Sequence, residues 1–404
     1  MSTFRMLKAC LFLSVVVAIV SVACTNGGVP SPARQAPTAQ PTQVEPIKTK
    51  VPTAVPEYTA TPSPTELLLP TESIVSTNTP VSTNTPIASP PGTSRSNPFP
   101  ANKLASLPNW DVQVLEVMRG EEAWKAIQAA YSTSIAAYEG MEYLLIKLYV
   151  KSTYADSETH NINFCNFGAT GDRLNLYNCG SAPVIGPKPQ LDVDLASGEE
   201  AEGYAQFMVA QGEENMILVF NESMNFNGDT DWFTALDQGA TTSVPSDLAA
   251  IKPNDLGTDR GNPAPINEKV ITEDWEVTVL EVIRGDEAWR MVKEASSNNE
   301  PPASGMEYIA INSRVRSINS QDKPQLVFGN GGLYATTGSL NVVYADSTVM
   351  YLPNPALVCF VYPGGECEGW SVLEISKGET GVMLIFQPTL DSNELNERYL
   401  SLEK

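Results

Sequence analysis

Hydrophobic and polar residues alternate over most of the chain after residue 94. Ile309, Ile311 and Val315 recur at period two, with Arg314 and Arg316 on the other face. Ser371, Leu373 and Ile375 alternate in the same way, as do Val382, Leu384 and Phe386. Earlier in the chain the same spacing appears at Leu144, Ile146 and Val150, at Ala205, Phe207 and Val209, and at Met216, Leu218 and Phe220. Successive side chains of an extended strand point to opposite faces, so these runs predict half-buried antiparallel sheet. Turn clusters such as Tyr362-Pro363-Gly364-Gly365 and Ser376-Lys377-Gly378-Glu379 separate them.

The alternation changes phase at two places. Val112 and Val114 share one face, whereas Leu115 and Val117 share the other; Val277, Val279, Leu280 and Val282 repeat the switch. This predicts a β-bulge, or a strand that passes from one sheet to another. After Gly120 the period becomes helical through Glu121, Glu122, Ala123, Trp124, Ile127 and Ala130. Acidic residues at its start suit the helix dipole. Trp124 and Ile127 are spaced to share the inner face, so the Trp is expected to anchor the helix on the sheet. Several short strands, one helix and no βα alternation indicate a β-sandwich.

This pattern is written twice. Trp110–Trp124 reads W-D-V-Q-V-L-E-V-M-R-G-E-E-A-W, and Trp275–Trp289 reads W-E-V-T-V-L-E-V-I-R-G-D-E-A-W, with eleven of fifteen positions identical at an offset of 165. Asn97-Pro98-Phe99-Pro100 matches Asn262-Pro263-Ala264-Pro265, and Gly140-Met141-Glu142-Tyr143 matches Gly305-Met306-Glu307-Tyr308. Further on the offset is 166: Glu202-Gly203-Tyr204 matches Glu368-Gly369-Trp370, and Gly212-Glu213 matches Gly378-Glu379. Two copies of one folding unit follow, each about 140 residues, a size that supports its own core. The expected domains are 94–240 and 259–404, joined by a linker at 241–258. Retention of Trp124/Trp289, Arg119/Arg284 and Glu116/Glu281 in both copies points to folding, with the Arg and Glu expected to pair at the end of the helix.

The second unit resembles a family of bacterial extracytoplasmic immunoglobulin-like domains of unknown function, related to the mycobacterial immunoprotective secreted antigen type. The resembling residues are Asn262–Pro265, Trp275–Trp289, P-P-A-S-G-M-E-Y at Pro301–Tyr308, P-G-G-E-C-E-G-W at Pro363–Trp370 and R-Y-L at Arg398–Leu400. The first unit keeps the N-terminal half of the pattern but has Trp232 at the place of Arg398 and Ala136-Ala137 at the place of the two prolines. The resemblance implies an immunoglobulin-like sandwich in a surface lipoprotein and names no ligand. The expected fold is therefore all-β: two tandem immunoglobulin-like antiparallel β-sandwich domains, each with one short helix after the first strand, preceded by a disordered stalk.

The N-terminal segment adds a location. Arg5 and Lys8 precede an apolar run from Leu11 to Ala23, short for a bilayer span and of the form of a signal peptide over residues 1–23. Ser21-Val22-Ala23-Cys24 resembles a bacterial lipobox, with Ser21 departing from the usual aliphatic residue and Cys24 the expected site of lipidation. Residues 24–93 are rich in Pro, Thr and Ser, with Ser76-Thr77-Asn78-Thr79-Pro80 repeated at once as Ser82-Thr83-Asn84-Thr85-Pro86. Such a segment has too few apolar residues to fold and favours extended polyproline II. Its roughly 70 residues reach on the order of 200 Å when fully extended, the form of a stalk from a membrane anchor.

Charge and cysteines narrow the partners. The formal net charge of −22 makes nucleic acid a poor partner. Beyond Cys10 and Cys24, the cysteines fall as two close pairs, Cys165/Cys179 and Cys359/Cys367, which in an exported protein read as disulfides. Each closes a short loop worth roughly 2–3 kcal/mol. Val193 and Ala201 occupy the first-unit places of Cys359 and Cys367, so the bridges are local staples added to each copy separately. Zinc is disfavoured by the absence of C-x-x-C spacing and by a single His.

Candidate chemistry is sparse. His160 is the only His and lies in the polar stretch Ser157-Glu158-Thr159-His160, which argues against a His-dependent hydrolase and reads as a surface loop. Ser320-Gln321-Asp322-Lys323 fits S-x-x-K without the partner motifs of that class. Asn225, Asn227, Asp229 and Asp231 alternate as calcium ligands do, but Gly228 is fourth rather than sixth and Leu236 stands where a bidentate Glu belongs. A polar turn is the reading there, with calcium the alternative; the second copy has Leu390–Glu394 in that region. No catalytic residue, metal or cofactor is assigned. The expectation is a lipid-anchored surface protein acting as a binding module for a protein or glycan at the cell surface. A structural envelope component is the alternative, ahead of a calcium-binding adhesion module or an enzyme. Exposed aromatics such as Tyr149 or Tyr154 would favour binding.

Overall fold

The structure, a computed structural model, describes residues 90–329, 333–337, 343–344, 349–386 and 397–403. The signal segment, Cys24, the proposed stalk up to residue 89 and Leu390–Glu394 lie outside the described residues.

The first repeat runs β1 (Ala105–Ser106), β2 (Trp110–Arg119), α1 (Gly120–Ala130), β3 (Met141–Ser152), β4 (His160–Asn163), β5 (Phe167–Thr170), β6 (Asn175–Asn178), β7 (Asp192–Leu195), β8 (Glu200–Ala210), β9 (Ile217–Phe220) and β10 (Trp232–Ala235). The second runs β11 (Val270–Ile271), β12 (Trp275–Arg284), α2 (Gly285–Ala295), β13 (Met306–Ser317), β14 (Gln325–Phe328), β15 (Leu333–Thr337), β16 (Val343–Tyr344), β17 (Val358–Val361), β18 (Glu366–Ser376), β19 (Val382–Phe386) and β20 (Arg398–Ser401). The strands pair antiparallel, as the alternation predicts.

One sheet of each repeat has the same order, β1-β2-β3-β8 and β11-β12-β13-β18. Its inner face supplies Val112, Val114, Ile146 and Phe207 in the first repeat, packed on Phe167, Leu218 and Phe220 of the opposing sheet. The second repeat uses Val277, Val279, Ile311 and Leu373 against Leu384 and Phe386. The phase switch is a bulge in both copies. Register shifts between Val114 and Glu116, and between Val279 and Glu281, leave Leu115 and Leu280 as the extra residues while each strand stays in its own sheet.

The helices sit on the outer face of these sheets. Ala123 and Ile127 are buried in α1, Ala288 and Val292 in α2. Trp124 stacks on Tyr143 at 5.8 Å, and Trp289 meets Tyr308 at 6.1 Å. Each Tyr hydroxyl then donates to a loop carbonyl, Ile135 and Glu300 respectively. Gly120 and Gly285 turn the strand into the helix with φ of +54° and +65°, a conformation that suits glycine. Gly203 and Gly369 have a different role. A Cβ at either would lie 2.6 Å from backbone atoms of Leu191 or Ala356, where a neighbouring segment crosses.

The opposing sheets differ between repeats. In the second repeat the order is β16-β15-β19-β20. In the first, β10-β9-β5-β6 continues into β17-β14 of the second repeat and makes one six-stranded sheet. Leu176 pairs with Phe360 and Asn175 with Val361 across this joint. Tyr362 follows β17 and is buried among Leu174, Leu176, Phe226 and Phe233 of the first repeat. Arg95, fully buried, lies 4.0 Å over the Tyr362 ring, pairs with Asp322 and donates to Thr242. The segment 241–258 packs on both sides: Thr242 N–H donates to the Arg95 carbonyl, and Asn254 N–H to that of Ile271. The linking segment is thus part of the packed body.

Both disulfides, Cys165–Cys179 and Cys359–Cys367, are formed. Cys179 directly follows β6, and Cys359 lies within β17. One staple thus ends beside β6 and the other starts within β17, the two strands that make the joint.

Candidate functional site

A cleft of about 330 Å³ opens at one end of the first repeat. It lies between the β1–β2 turn, Leu107–Trp110, and the β9–β10 loop, Phe220–Trp232, with Thr93 at its rim. The second loop is tightly built. Asn221 is buried and donates through Nδ2 to Thr230 Oγ1 at 3.1 Å and to Asp231 Oδ1 at 2.6 Å. Its Oδ1 accepts from the backbone N–H groups of Ser223 and Asn225. Asn166 Nδ2 donates to the carbonyls of Asn221 and Glu222. Met224 and Phe226 hold φ of +58° and +38°, uncommon for such side chains and retained only where the surroundings over-determine the backbone.

This scaffold presents Glu222 to the cleft. Its carboxylate accepts from Asn109 Nδ2 at 3.2 Å and from Trp110 Nε1 at 3.3 Å. Trp110 is buried, so its indole holds Glu222 from behind. Trp232 is half-buried in the wall and stacks on Phe99 with 6.3 Å between ring centres. Phe99 is fixed in turn by backbone hydrogen bonds to Phe233 and Ala235. Sequence reasoning overlooked Glu222 and Asn109. The available signal was Trp232, which differs from Arg398 at the matching place.

The alternating Asn/Asp run is a polar turn integrated into the fold. Asp231 accepts from Asn221 and from Gly228 N–H at 2.9 Å, and burial raises its pKa. Asn227 Oδ1 accepts from Asp229 N–H at 3.0 Å. Asp229 pairs with Lys323 at 2.6 Å, and Lys323 belongs to the second repeat. The S-x-x-K segment thus contributes both its charged residues to the joint, Asp322 to Arg95 and Lys323 to Asp229. No group of three or more His, Cys, Asp or Glu side chains arranged to hold a metal occurs among the described residues.

His160 is placed differently from the surface loop expected of it. It opens β4 and is half-buried, stacked on Tyr154 at 3.4 Å, with Nε2 2.9 Å from Asp156 Oδ1. That hydrogen bond lowers the Asp156 pKa. Tyr154 also meets Trp110 edge-on at 5.7 Å, while Tyr149 donates to Glu200 at 2.7 Å. Tyr154 therefore supports the Trp110 side of the cleft, and Tyr149 belongs to a separate surface.

The duplicated charges have structural partners. Arg119 Nε donates to Glu142 at 3.1 Å and Nη1 to the Glu213 carbonyl at 2.7 Å. Arg284 Nη2 reaches Glu307 at 2.6 Å and the Glu379 carbonyl at 2.8 Å. The Arg partner is thus the Glu of the Gly-Met-Glu-Tyr motif, not Glu116 or Glu281.

No family model and no curated protein matches the chain. Among solved structures, the yjhA protein from Bacillus subtilis is similar at 16% identity and a TM-score of 0.23, covering 34% of this chain and 99% of that one. An uncharacterized β-sandwich protein from Clostridium difficile 630 is similar at 16% identity and a TM-score of 0.23, covering 38% of this chain and 97% of that one.

Proposed function

We propose that this chain is a lipid-anchored extracytoplasmic binding module of the immunoglobulin-like sandwich type, non-enzymatic, which receives its ligand in the first-repeat cleft. The carrying observation is that Glu222 and Trp232 line one cleft, with Glu222 on a loop braced by Asn221 and held by Trp110. An aromatic wall with one oriented polar group is how small-ligand sites combine contact area with specificity. The lipobox-like Cys24 supplies the anchor, and the two disulfides suit an oxidising compartment.

The test is retention on envelope fragments from the cell that makes the protein. Trp232→Ala and Glu222→Gln are expected to lower retention about tenfold, equivalent to about 1.4 kcal/mol, while Arg290→Ala on the exposed face of α2 leaves it unchanged. In the same cells Cys24→Ala should release the protein from the membrane fraction. Retention of the two cleft variants at the wild-type level would reject the binding site, and continued membrane association of Cys24→Ala would reject the anchor. A structural envelope role is the second reading, favoured by the continuous sheet that joins the repeats. It is the one left standing if the cleft variants behave as wild type.

A further inference from the structure

The charged side chains that line the cleft are acidic. Its lining contains the carboxylates of Glu222, Asp229 and Asp231 and no Lys, Arg or His. Of the nearby cations, Arg95 is turned to Asp322 and Thr242, whereas Lys323 offsets Asp229, one of the lining carboxylates, at 2.6 Å. Asp231 is buried under donors from Asn221 and Gly228. Glu222 and Asp229 are the exposed carboxylates; Asp229 is taken by Lys323, whereas the partners of Glu222, the Asn109 amide and the Trp110 indole, are neutral donors that orient its charge without cancelling it.

A fixed carboxylate beside an indole is complementary to an organic cation. The carboxylate supplies charge and hydrogen-bond acceptors, and the ring attracts the cation through its quadrupole. The chain's net charge of −22 draws cations in and repels anions. The volume of about 330 Å³ lies at the small end of ligand pockets, enough for a head group or one sugar rather than a polymer segment.

We infer that the cleft binds an ammonium-bearing small group, an amine or a quaternary ammonium, with Glu222 as counter-charge and Trp232 as aromatic wall. This rests on the cleft being the ligand site proposed above. The ammonium has two natural sources, an amino sugar and a lipid head group.

The experiment is a fluorescence titration of the full chain carrying Cys24→Ala, which removes the lipid anchor, with choline, ethanolamine, glucosamine, glucose and acetate, and a co-sedimentation of the same chain with phosphatidylethanolamine vesicles. The expected result is saturable binding of the amines at a Kd on the order of 1 mM or tighter, with glucose and acetate at least about tenfold weaker. Glu222→Gln should weaken amine binding about tenfold and added salt should weaken it further. Glucosamine without vesicle binding identifies the sugar source, and vesicle binding lost in Glu222→Gln identifies the lipid. Glucose binding as tightly as glucosamine, unaffected by Glu222→Gln but lost in Trp232→Ala, would overturn the cation while leaving the cleft as a binding site. Preferential acetate binding would do the same. No saturable binding of any compound overturns the cation as well, and unchanged envelope retention by the cleft variants then removes the site itself.

Discussion

Burial of Glu213 removes hydration from a carboxylate that accepts from two donors among the described residues. Tyr177 Oη donates at 2.6 Å and Arg173 N–H at 3.3 Å, and burial pushes the pKa from 4.5 to about 7. The folded state then holds this proton more tightly than the unfolded chain. Its stabilising effect is complete below about pH 4.5 and is lost as pH rises through about 7. Denaturant midpoints measured across that range should fall with pH, and Glu213→Gln should flatten the profile by about 3 kcal/mol. An unchanged slope in the variant would show that other groups govern it. The matched Gly-Glu pairs were visible in the sequence, but burial of Glu213 was not. Arg119 teaches the same lesson. Glu116 is near in sequence, yet an odd separation along a strand puts the two side chains on opposite faces, and Glu142 on β3 takes the role.

At the scale of the element, the strands, their phase switch and both helices followed from local periodicity, and the register shift made the switch a bulge. The behaviour of edges did not. β7 and β17 occupy the same place in their repeats, and each pairs with one strand, β4 or β14. β17 carries Val358 and Phe360 and also pairs with β6, whereas β7 carries Asp192 and Asp194 and has no second partner strand among the described residues. Charges on an exposed edge prevent it from templating another chain. Asp192→Val combined with Asp194→Phe should therefore produce concentration-dependent association in light scattering. A monomer at all concentrations would mean that the edge is covered in another way.

At the scale of the whole molecule, the continuous sheet joins the two sandwiches of the described residues into one packed body. Tyr362 is the plug. It is fully buried in the first repeat's cluster under the Arg95 guanidinium. Wild-type protein should melt in a single calorimetric transition. Tyr362→Ala leaves a cavity worth about 3–5 kcal/mol and should separate the transition into two. One undivided transition in the variant would show that β6–β17 pairing and the Asp229–Lys323 contact suffice. The cleft depends on this body as well, because its loop is tied to the second repeat through Asp229.

The amino-acid sequence by itself determined the strand alternation, the phase switch at Leu115 and Leu280, the helix after it and the duplication, and it pointed to the cysteine pairing. These depend on neighbours within a few residues or on a repeat compared with itself. Only the tertiary structure decided which faces meet. Arg95 and Asp322 are 227 residues apart, and no local period encodes their contact. The same holds for β6 on β17 and for Glu222 against Trp110. Each arises from packing two similar units head to tail, where the energy comes from burial between surfaces that each unit's own pattern leaves unpartnered.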